Sequence, residues 1–343
     1  MKAVVLAGVG DLRLADVPDP RVSHAGDAVV RVTTTGLCGA DLFPFHGHTL
    51  GFEDGTILGH EFVGVVEEVG SAVSGVRVGD RVVSTSTISC GACAHCRPGR
   101  ASQCLDRALF GYSGVYQRLD GGQAERVRVP YADRCLFRVP DAVDDEAAVF
   151  VADMLPTGYN AVLRGEVAVG DLVVVVGCGT VGLMAILFAA RMAREVIAVD
   201  GIPARRELAE RFGARAVTPD EVADAVAEAS GGIGADVVIE AAGSPGALTA
   251  ALKLVRGLGT LSVVGAHFEP DFPLDNGLMF EKEMTLRVSW GHGFTDRERI
   301  LGLLAAGVID PRPAITHRFA LAEAEEAYRV FDARQAVKVL LRP

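Results

Sequence analysis

Hydrophobic residues follow two different patterns along this chain. From Met1 to about Pro140 they form short, β-rich runs separated by glycine, proline and aspartate, which is typical of strands joined by turns. The strands predicted from these runs are Lys2–Leu6, Ala28–Thr34, Glu61–Val69 and Arg81–Ser84. We therefore expect the first part of the chain to form a β-rich domain.

From about Asp144 onward, apolar runs alternate with segments of helical character. The runs are too hydrophobic to face water on either side, and they are Val173–Val176, Glu195–Asp200, Asp236–Glu240, Thr260–Gly265 and Thr285–Ser289. Helices are predicted between them at Arg205–Phe212, Glu221–Ala229 and Gly246–Val255. Buried strands that alternate with helices predict a parallel sheet covered on both faces. The chain then closes with the predicted helices Arg297–Gly307 and Ala322–Phe331 and the strand Ala336–Leu341.

The amino-acid composition indicates a folded, globular protein, and its charge balance argues against some classes of partner. Its 343 residues are 50% hydrophobic and 22% charged, which excludes a disordered protein and suits two domains of ordinary size. Lysine and arginine total 33 against 44 acidic residues, so the net charge is −11. Nucleic acids and anionic membranes need a basic patch, and we therefore expect neither as a partner.

One uncharged stretch, Leu172–Ala190, is nearly long enough to span a bilayer. It opens with the β-branched run Val173–Val176 and then breaks at Gly177, Gly179 and Gly182. A strand, a turn and a buried helix are therefore the better interpretation. No signal peptide is evident, and we expect a soluble, cytoplasmic protein.

Four of the seven cysteines lie close together. Cys90, Cys93, Cys96 and Cys104 follow one another at spacings of three, three and eight residues. A loop with this spacing can fold four thiolates round one tetrahedral zinc ion and leave no position for a substrate, which makes a structural site. Unrelated thiols have no reason to keep this spacing, and an iron–sulfur cluster is disfavoured because no electron-transfer partner is evident. Zinc-binding thiols also indicate a reducing compartment.

A glycine-rich turn follows the first strand of the second pattern. Gly177-Cys-Gly179-Thr-Val-Gly182 matches G-x-G-x-x-G, and Asp200 ends the next strand. In a dinucleotide fold such glycines let the backbone approach the pyrophosphate at a helix N-terminus, while the acid binds the ribose hydroxyls. The residues predicted to contact the cofactor are Gly177, Gly179, Thr180, Val181, Gly182 and Asp200. An aspartate repels a 2′-phosphate, so NAD is favoured over NADP.

A third set of candidate residues is scattered along the chain: Cys38, the Gly-His-Glu motif at 59–61, and Asp153. By spacing alone, a lone cysteine, a lone histidine or an acid before a helix is more often structural than functional. The other motifs of the sequence, and the order in which they occur, favour a functional role instead. The order of Gly-His-Glu, cysteine loop, G-x-G-x-x-G and Lys338-Val-Leu-Leu resembles the zinc-containing alcohol dehydrogenases of the medium-chain dehydrogenase/reductase family.

The resemblance covers essentially the whole chain and implies its fold. The expected class is α/β, with a β-rich, GroES-like catalytic domain that is partly barrel-like and a Rossmann domain built on a doubly wound parallel sheet. The expected boundaries are 1–155 and 292–343 for the catalytic, zinc-binding domain and 156–291 for the NAD-binding domain. Ligands are expected in the cleft between the domains, over the carboxyl ends of the parallel strands.

The resemblance also assigns a catalytic zinc site. Family members hold this zinc with a cysteine, the histidine of Gly-His-Glu and a later cysteine or aspartate, which fall on Cys38, His60 and Asp153. Glu61 matches a neighbouring glutamate that can approach the metal as an exchangeable ligand. Three protein ligands and one open position suit a Lewis acid that polarises an alcohol or carbonyl oxygen. We therefore expect two zinc ions per chain, one catalytic and one structural.

Three further residues match family positions that contact the cofactor. Thr157 falls beside the nicotinamide, Arg205 near the adenosine ribose, and Lys338 where a cation meets the pyrophosphate. With the glycine-rich turn and Asp200, these residues complete the predicted NAD(H) site.

The chain departs from the family at its proton relay. Family members usually carry a serine or threonine two residues after the first cysteine, where this sequence has Ala40, and a histidine five residues after it, where this sequence has Phe43. His46 and His48 are candidates to replace the relay. This departure puts rapid oxidation of ordinary alcohols in doubt, but not zinc binding or hydride transfer.

The leading hypothesis is a zinc-dependent NAD(H) oxidoreductase of an alcohol and its aldehyde or ketone, acting as a homodimer or homotetramer. Gly121-Gly-Gln-Ala-Glu125 and Val129-Pro-Tyr-Ala-Asp133 resemble a formaldehyde-dehydrogenase-like branch, so oxidation of an aldehyde is one alternative. A biosynthetic reductase of a conjugated or unusual carbonyl, without the usual relay, is another. From a different class, the chain could be a catalytically retired dinucleotide-binding protein, against which the retained zinc ligands argue.

Overall fold

The computed structural model describes residues 1–267, 274–290 and 296–343. The chain forms two compact units: Met1–Asp153 with Gly293–Pro343, and Met154–His292. The boundary predicted after residue 155 falls beside the first of these divisions, and the boundary predicted at residue 292 lies outside the described residues.

The N-terminal part of the first unit consists mainly of strands. Its elements are β1 (Lys2–Gly8), β2 (Asp11–Asp16), β3 (Ala28–Leu37), α1 (Gly39–Phe45), β4 (Thr56–Ile57), β5 (Glu61–Val69), β6 (Arg81–Ser84), β7 (Arg126–Val129), α2 (Ala132–Cys135), β8 (Leu136–Arg138) and α3 (Asp145–Ala148). Short 3₁₀ turns lie at Ala101–Gln103 and Val149–Ala152. The predicted strands Glu61–Val69 and Arg81–Ser84 match β5 and β6 from end to end.

In the second unit, strands and helices alternate as predicted. Its described elements are α4 (Met154–Gly165), β9 (Leu172–Val176), α5 (Thr180–Ala189), β10 (Glu195–Val199), α6 (Pro203–Arg211), β11 (Arg215–Val217), α7 (Val222–Ser230), β12 (Ala235–Glu240), α8 (Pro245–Leu254), β13 (Val255–Val263), α9 (Asn276–Glu281) and β14 (Thr285–Val288). The uncharged stretch therefore divides into β9 and α5, as its glycines predicted. Among the described helices, none has the length and apolar character needed to cross a membrane.

The C-terminal segment adds its strands to the first unit. It comprises α10 (Arg297–Ala305), β15 (Ile315–Ala320), α11 (Ala324–Asp332) and β16 (Lys338–Arg342), with 3₁₀ turns at Arg312–Ala314 and Leu321–Glu323. β16 pairs antiparallel with β3, so that Val339 lies opposite Leu37. Within the described residues the main sheet of this unit has the order β15-β16-β3-β5-β6-β8, with β7 also paired to β3, and a smaller sheet has the order β2-β1-β4.

The sheet of the second unit has the order β11-β10-β9-β12-β13-β14 across the described residues, and its neighbouring strands are parallel. All five residues of β9 are buried, which agrees with a central strand covered on both faces. Strand order reverses between β9 and β12, where the connections change direction. In open parallel sheets, ligands bind at the carboxyl ends of the strands beside such a reversal.

Candidate active site

Four side chains from distant parts of the sequence converge in the first unit. Their ligand atoms lie within 4.8 Å of one another, and they belong to Cys38, His60, Glu61 and Asp153. Cys38 lies between β3 and α1, His60 and Glu61 stand at the start of β5, and Asp153 follows a 3₁₀ turn. β3 and β5 pair antiparallel with Gly36 opposite Glu61, so the end of one strand meets the start of the other. Strand pairing thus brings the cysteine to the histidine.

Asp41 orients two of these side chains from the first turn of α1. Its Oδ2 accepts a hydrogen bond from the backbone N–H of Cys38 at 2.9 Å, and its Oδ1 lies 3.2 Å from His60 Nδ1. On the other side of the ring, His60 Nε2 lies 3.5 Å from Asp153 Oδ2. A histidine that donates from one ring nitrogen keeps the other available for a metal. We did not predict this role for Asp41, although the Cys-x-x-Asp spacing carries the signal.

The pKa values of the clustered side chains are shifted in the direction that favours a bound cation. Burial lowers the pKa of His60, but Asp41 and Cys38 outweigh burial and hold that pKa well above its usual value. Burial raises the pKa of the Cys38 thiol, and it also raises the pKa of Glu61 against the opposing influence of Lys338. A divalent cation would replace the protons on such a group of ligands.

Glu61 and Lys338 form a fully buried ion pair beside the cluster. Lys338 Nζ also donates a hydrogen bond to the carbonyl oxygen of Leu37 at 3.0 Å. The sequence placed this lysine at the cofactor's pyrophosphate, but the structure places its ammonium in the interior as the counter-charge of Glu61. Contact with the pyrophosphate stays a prediction.

The donor set fits zinc. One sulfur, one imidazole nitrogen and one carboxylate oxygen, from Cys38, His60 and Asp153, are ligand types that zinc accepts in a site with three protein ligands and one open position. Calcium and magnesium prefer oxygen ligands throughout. Within the described residues, Glu61 Oε1 is buried and has no hydrogen-bond partner, as expected of an oxygen kept for a metal.

Arg297 supports the third ligand and was missed by our sequence analysis. It is 3% exposed, and its guanidinium donates hydrogen bonds to the carbonyl oxygens of Val151 at 3.0 Å and Ala152 at 2.6 Å, directly before Asp153. Burial lowers the pKa of Arg297 to about 10, and the nearby Asp153 opposes that shift. A single arginine in a predicted helix carries no local signal of this role, because arginines on helices usually face solvent.

The cysteine cluster forms a second site with different geometry. The Sγ atoms of Cys90, Cys93, Cys96 and Cys104 lie within 4.8 Å of one another. Cys104 Sγ is 3.5 Å from Cys90 Sγ and 4.0 Å from Cys93 Sγ. Four sulfurs bound at about 2.3 Å round one tetrahedral zinc ion would be about 3.8 Å apart. Backbone N–H groups of Leu105 and Cys96 lower the pKa of Cys93 to about 6. Burial raises the pKa of Cys96 to about 12 and also raises that of Cys104, so a bound cation would be what favours the thiolate form of those two.

The glycine-rich turn in the second unit is built for close backbone approach. Gly177 has a φ of +97°, which favours glycine. A Cβ on Gly182 would lie 1.8 Å from the carbonyl oxygen of Gly177, so only glycine fits there. Gly179 caps α5, and Thr180 and Val181 are its first two residues. The backbone N–H groups at a helix N-terminus point outward and suit an anionic phosphate.

Asp200, at the end of β10, is held beside this turn. Its Oδ2 accepts from the backbone N–H of Cys178 at 2.9 Å, and its Oδ1 accepts from that of Ile202 at 2.8 Å. Arg205 Nη1 lies 3.8 Å from Asp200 Oδ2, and Arg206 donates to the backbone carbonyl of Asp200 at 2.8 Å. The carboxylate is therefore fixed next to the turn, where a ribose hydroxyl would be recognised.

The remaining predicted residues lie in two helices or directly after one of them. Thr157 is buried in the first turn of α4, in the second unit, and its place beside the nicotinamide stays a prediction. Ala40 and Phe43 both lie in α1. His46, which follows α1, has Nε2 2.8 Å from Asp332 Oδ1 and its ring 6.1 Å from that of His48. Asp332 thus gives His46 a partner at the surface of the first unit.

The fold and the two clusters together define a zinc-binding oxidoreductase with a dinucleotide-binding unit. Comparison with known proteins agrees: residues 24–141 match the alcohol dehydrogenase GroES-like domain, and residues 180–306 match the zinc-binding dehydrogenase domain. The chain belongs to the zinc-containing alcohol dehydrogenases of the medium-chain dehydrogenase/reductase family.

Individual relatives are similar over most of their length. A medium chain reductase/dehydrogenase, ucsI, from Acremonium sp. is 42% identical over 278 residues, covering 78% of this chain and 94% of that protein. An uncharacterized zinc-type alcohol dehydrogenase-like protein, AdhB, from Bacillus subtilis is 34% identical over the whole of both chains. Among solved structures, the alcohol dehydrogenase TADH from Thermus sp. ATN1 has a TM-score of 0.95 at 36% identity, covering 100% of this chain and 99% of that one.

Proposed function

We propose that this chain interconverts a small alcohol and its aldehyde or ketone with NAD(H), using a zinc ion held by Cys38, His60 and Asp153. The observation that carries the proposal is the convergence of these three side chains with Glu61 within 4.8 Å. When bound, zinc supplies a Lewis acid for the substrate oxygen, and the nicotinamide supplies or accepts a hydride.

The chain's own residues prepare that site. Asp41 faces His60 Nδ1 and keeps the other ring nitrogen turned towards the cluster. Arg297 holds the backbone before Asp153, and Lys338 balances the charge of Glu61. Glu61 can then serve as the exchangeable ligand when no substrate is bound. The four cysteines hold the second, structural zinc ion.

Preference for NAD(H) over NADP(H) is supported by Asp200. Its carboxylate stands at the end of β10, fixed by two backbone N–H groups, where it would face a 2′-phosphate with like charge. Arg205, 3.8 Å away, softens this repulsion, so we expect a strong preference rather than complete exclusion.

The exposed edge of the second unit supports a homo-oligomer. Among the described strands of this sheet β14 is at the edge, and its Val288 is 75% exposed. Phe280, on α9, is 88% exposed. Edge strands with exposed apolar side chains pair readily with another chain, so a second copy can join edge to edge through β14. Val288→Lys should convert the oligomer to a monomer in light scattering, whereas an unchanged mass would exclude this interface.

Cysteine chemistry supports a cytoplasmic location. All seven cysteines are free thiols, and the two zinc sites use five of them as ligands. Such sites persist where thiols stay reduced.

Metal analysis combined with turnover tests the proposed function. The wild-type protein should hold one zinc ion on each cluster and oxidise or reduce members of an alcohol and aldehyde panel with NAD(H). Cys38→Ser should remove the catalytic zinc and turnover, and Cys93→Ser, the matched control, should remove only the structural zinc. A wild-type protein that holds zinc on the four cysteines alone, or that turns over no member of the panel, contradicts the proposal.

A further inference from the structure

We propose that Gln123 and Tyr328 are positioning residues for the catalytic metal. They hold Asp41, and through it His60, in the orientation that leaves His60 Nε2 available for zinc. This inference rests on the proposed function, because it concerns how the same metal site is assembled.

The four side chains follow one another in a buried series in the first unit, in which two hydrogen bonds join Tyr328, Gln123 and Asp41 and an ion-pair contact joins Asp41 to His60. The Tyr328 hydroxyl, on α11, donates to Gln123 Oε1 at 2.9 Å, and Gln123 Nε2 donates to Asp41 Oδ2 at 3.4 Å. Asp41 Oδ1 in turn lies 3.2 Å from His60 Nδ1. Each of these residues is 0–1% exposed, so water cannot replace the contacts.

The direction of each hydrogen bond follows from the charge on Asp41. A carboxylate accepts only, so the Gln123 amide must present its NH₂ group to Asp41 and its oxygen to Tyr328. The tyrosine must then donate its proton to that oxygen. Burial and the nearby Asp41 raise the pKa of Tyr328 well above its usual value, so the phenol keeps this proton.

The hydrogen bonds that Asp41 accepts also determine which nitrogen of His60 is available to the metal. Asp41 Oδ2 accepts from Gln123 and from the backbone N–H of Cys38, which leaves Oδ1 to face His60 Nδ1. A proton on Nδ1 makes Nε2 the free lone pair, and Nε2 is the nitrogen that faces Asp153. Partners of this kind fix the tautomer and ring angle of a metal-binding histidine.

The backbone round His60 is shaped to admit Gln123. Gly59, directly before His60, has a φ of +96°, and a Cβ there would lie 2.4 Å from Gln123 Cγ. The backbone N–H of Gln123 donates to Leu58 at 2.9 Å, and its carbonyl accepts from Val4 at 2.8 Å. The glutamine is thus held against β1 and against the segment that leads into His60.

A purely structural role is the competing explanation. The bond between Tyr328 and Gln123 would then only fasten α11 to the sheet, as many buried hydrogen bonds fasten helices. An apolar pair would fill the same space without the cost of burying two polar groups. The two explanations differ in what they predict for the metal, and not in what they predict for stability.

Zinc release distinguishes them. Tyr328→Phe and Gln123→Leu are prepared with both zinc ions bound, and loss of each ion to a chelator is followed. Release from the catalytic site should be faster by about 10- to 100-fold in both variants, with the structural site unchanged. Because the contacts lie in series, the double variant should release zinc no faster than Gln123→Leu.

Cobalt in the catalytic site gives an independent readout, since its absorption bands report ligand geometry. We expect these bands to shift in Tyr328→Phe and in Gln123→Leu. The matched control is Ser262→Ala, which removes a buried hydrogen bond to the Ala161 carbonyl in the second unit and should lower stability without changing either readout. Tyr328→Phe keeps the ring that fills the core, and it carries the test alone if Gln123→Leu fails to fold.

Wild-type release rates and cobalt bands in both variants would overturn this inference while leaving the proposed function intact. A wild-type protein without zinc on Cys38, His60 and Asp153 would overturn the proposed function, and this inference with it.

Discussion

Lys338 and Glu61 form an ion pair in which neither side chain has any exposed surface. The pair joins the first residue of the last strand to the first residue of β5, because β16 and β5 both flank β3 in the main sheet. Two charges removed from water are tolerated only while each has the other.

Removing the lysine alone should therefore be costly. We expect Lys338→Met to lower the free energy of unfolding by about 3–5 kcal/mol, since it leaves the Glu61 carboxylate buried without a counter-charge. Chemical denaturation of the protein freed of its catalytic zinc measures this loss, because a zinc ion in the cluster would itself balance the charge of Glu61. The double variant Lys338→Met with Glu61→Gln should recover most of it, and a double variant as unstable as the single one would show that packing dominates.

Arg297 should control retention of the catalytic zinc. Arg297→Met removes the guanidinium that donates to the Val151 carbonyl, and it leaves the Ala152 carbonyl with only the backbone N–H of Ser86. The turn before Asp153 should loosen, and the affinity for catalytic zinc should fall about 10- to 100-fold. Metal analysis after dialysis against a weak chelator measures this. Arg299→Met, on the exposed side of the same helix, is the control and should keep both zinc ions. Equal zinc content in the two variants contradicts the role.

Asp200 should set the choice of cofactor. Asp200→Asn removes the negative charge that a 2′-phosphate would meet, and it keeps one oxygen to accept from the backbone. The ratio of kcat/KM for NAD to that for NADP should fall at least about tenfold, which corresponds to about 1.4 kcal/mol. Steady-state kinetics with both cofactors decide the question, and an unchanged ratio would show that this carboxylate does not face the ribose.

Ala40 should limit proton transfer. If the interrupted relay slows the enzyme, Ala40→Ser should speed oxidation of small alcohols by part of the about 10²–10⁴-fold that a positioned acid–base path supplies. If Ala40 only widens the pocket, the serine should slow bulky substrates and leave small alcohols unchanged. Comparing small and bulky alcohols on the same variant across a range of pH distinguishes the two explanations.

Glu146 should make the free energy of unfolding fall as the pH is lowered into the acid range. It accepts two hydrogen bonds from Arg318 at 2.7 Å and one from Arg342 at 2.6 Å, which tie α3 to β15 and β16. The bonds from Arg318 hold the pKa of Glu146 below its usual value. Because the pKa is lower in the folded state, the stabilisation is complete above the unfolded value of about 4.3 and is lost as the pH falls below it.

Both arginines are about half exposed, so the contribution is about 1 kcal/mol. Glu146→Gln should lose this amount at neutral pH and differ little from wild type in acid, as measured by denaturation across pH. Glu68→Gln, an exposed carboxylate on β5, should change stability little at any pH. A constant difference between Glu146→Gln and wild type would contradict the electrostatic explanation.

Local sequence patterns were enough to predict many of the secondary-structure elements and one of the two metal-binding clusters. Strand β9 and helix α5 follow from an apolar run broken by Gly177, Gly179 and Gly182, because periodicity and turn residues act over a few positions. The cysteine cluster is equally local, since its four thiols lie in one loop. The catalytic ligands were named through a family resemblance, because no spacing connects Cys38 to Asp153.

Only the tertiary structure decided how distant residues meet. The pairing of β16 with β3 buries Lys338 against Glu61, and the packing of α10 and α11 carries Arg297 to Asp153 and Tyr328 to Gln123. These contacts span more than a hundred residues of sequence and depend on strand register and helix packing, which local patterns do not encode. The residues that could hold a metal can therefore be proposed from the sequence. The side chains that position those ligands can be identified only from the tertiary structure.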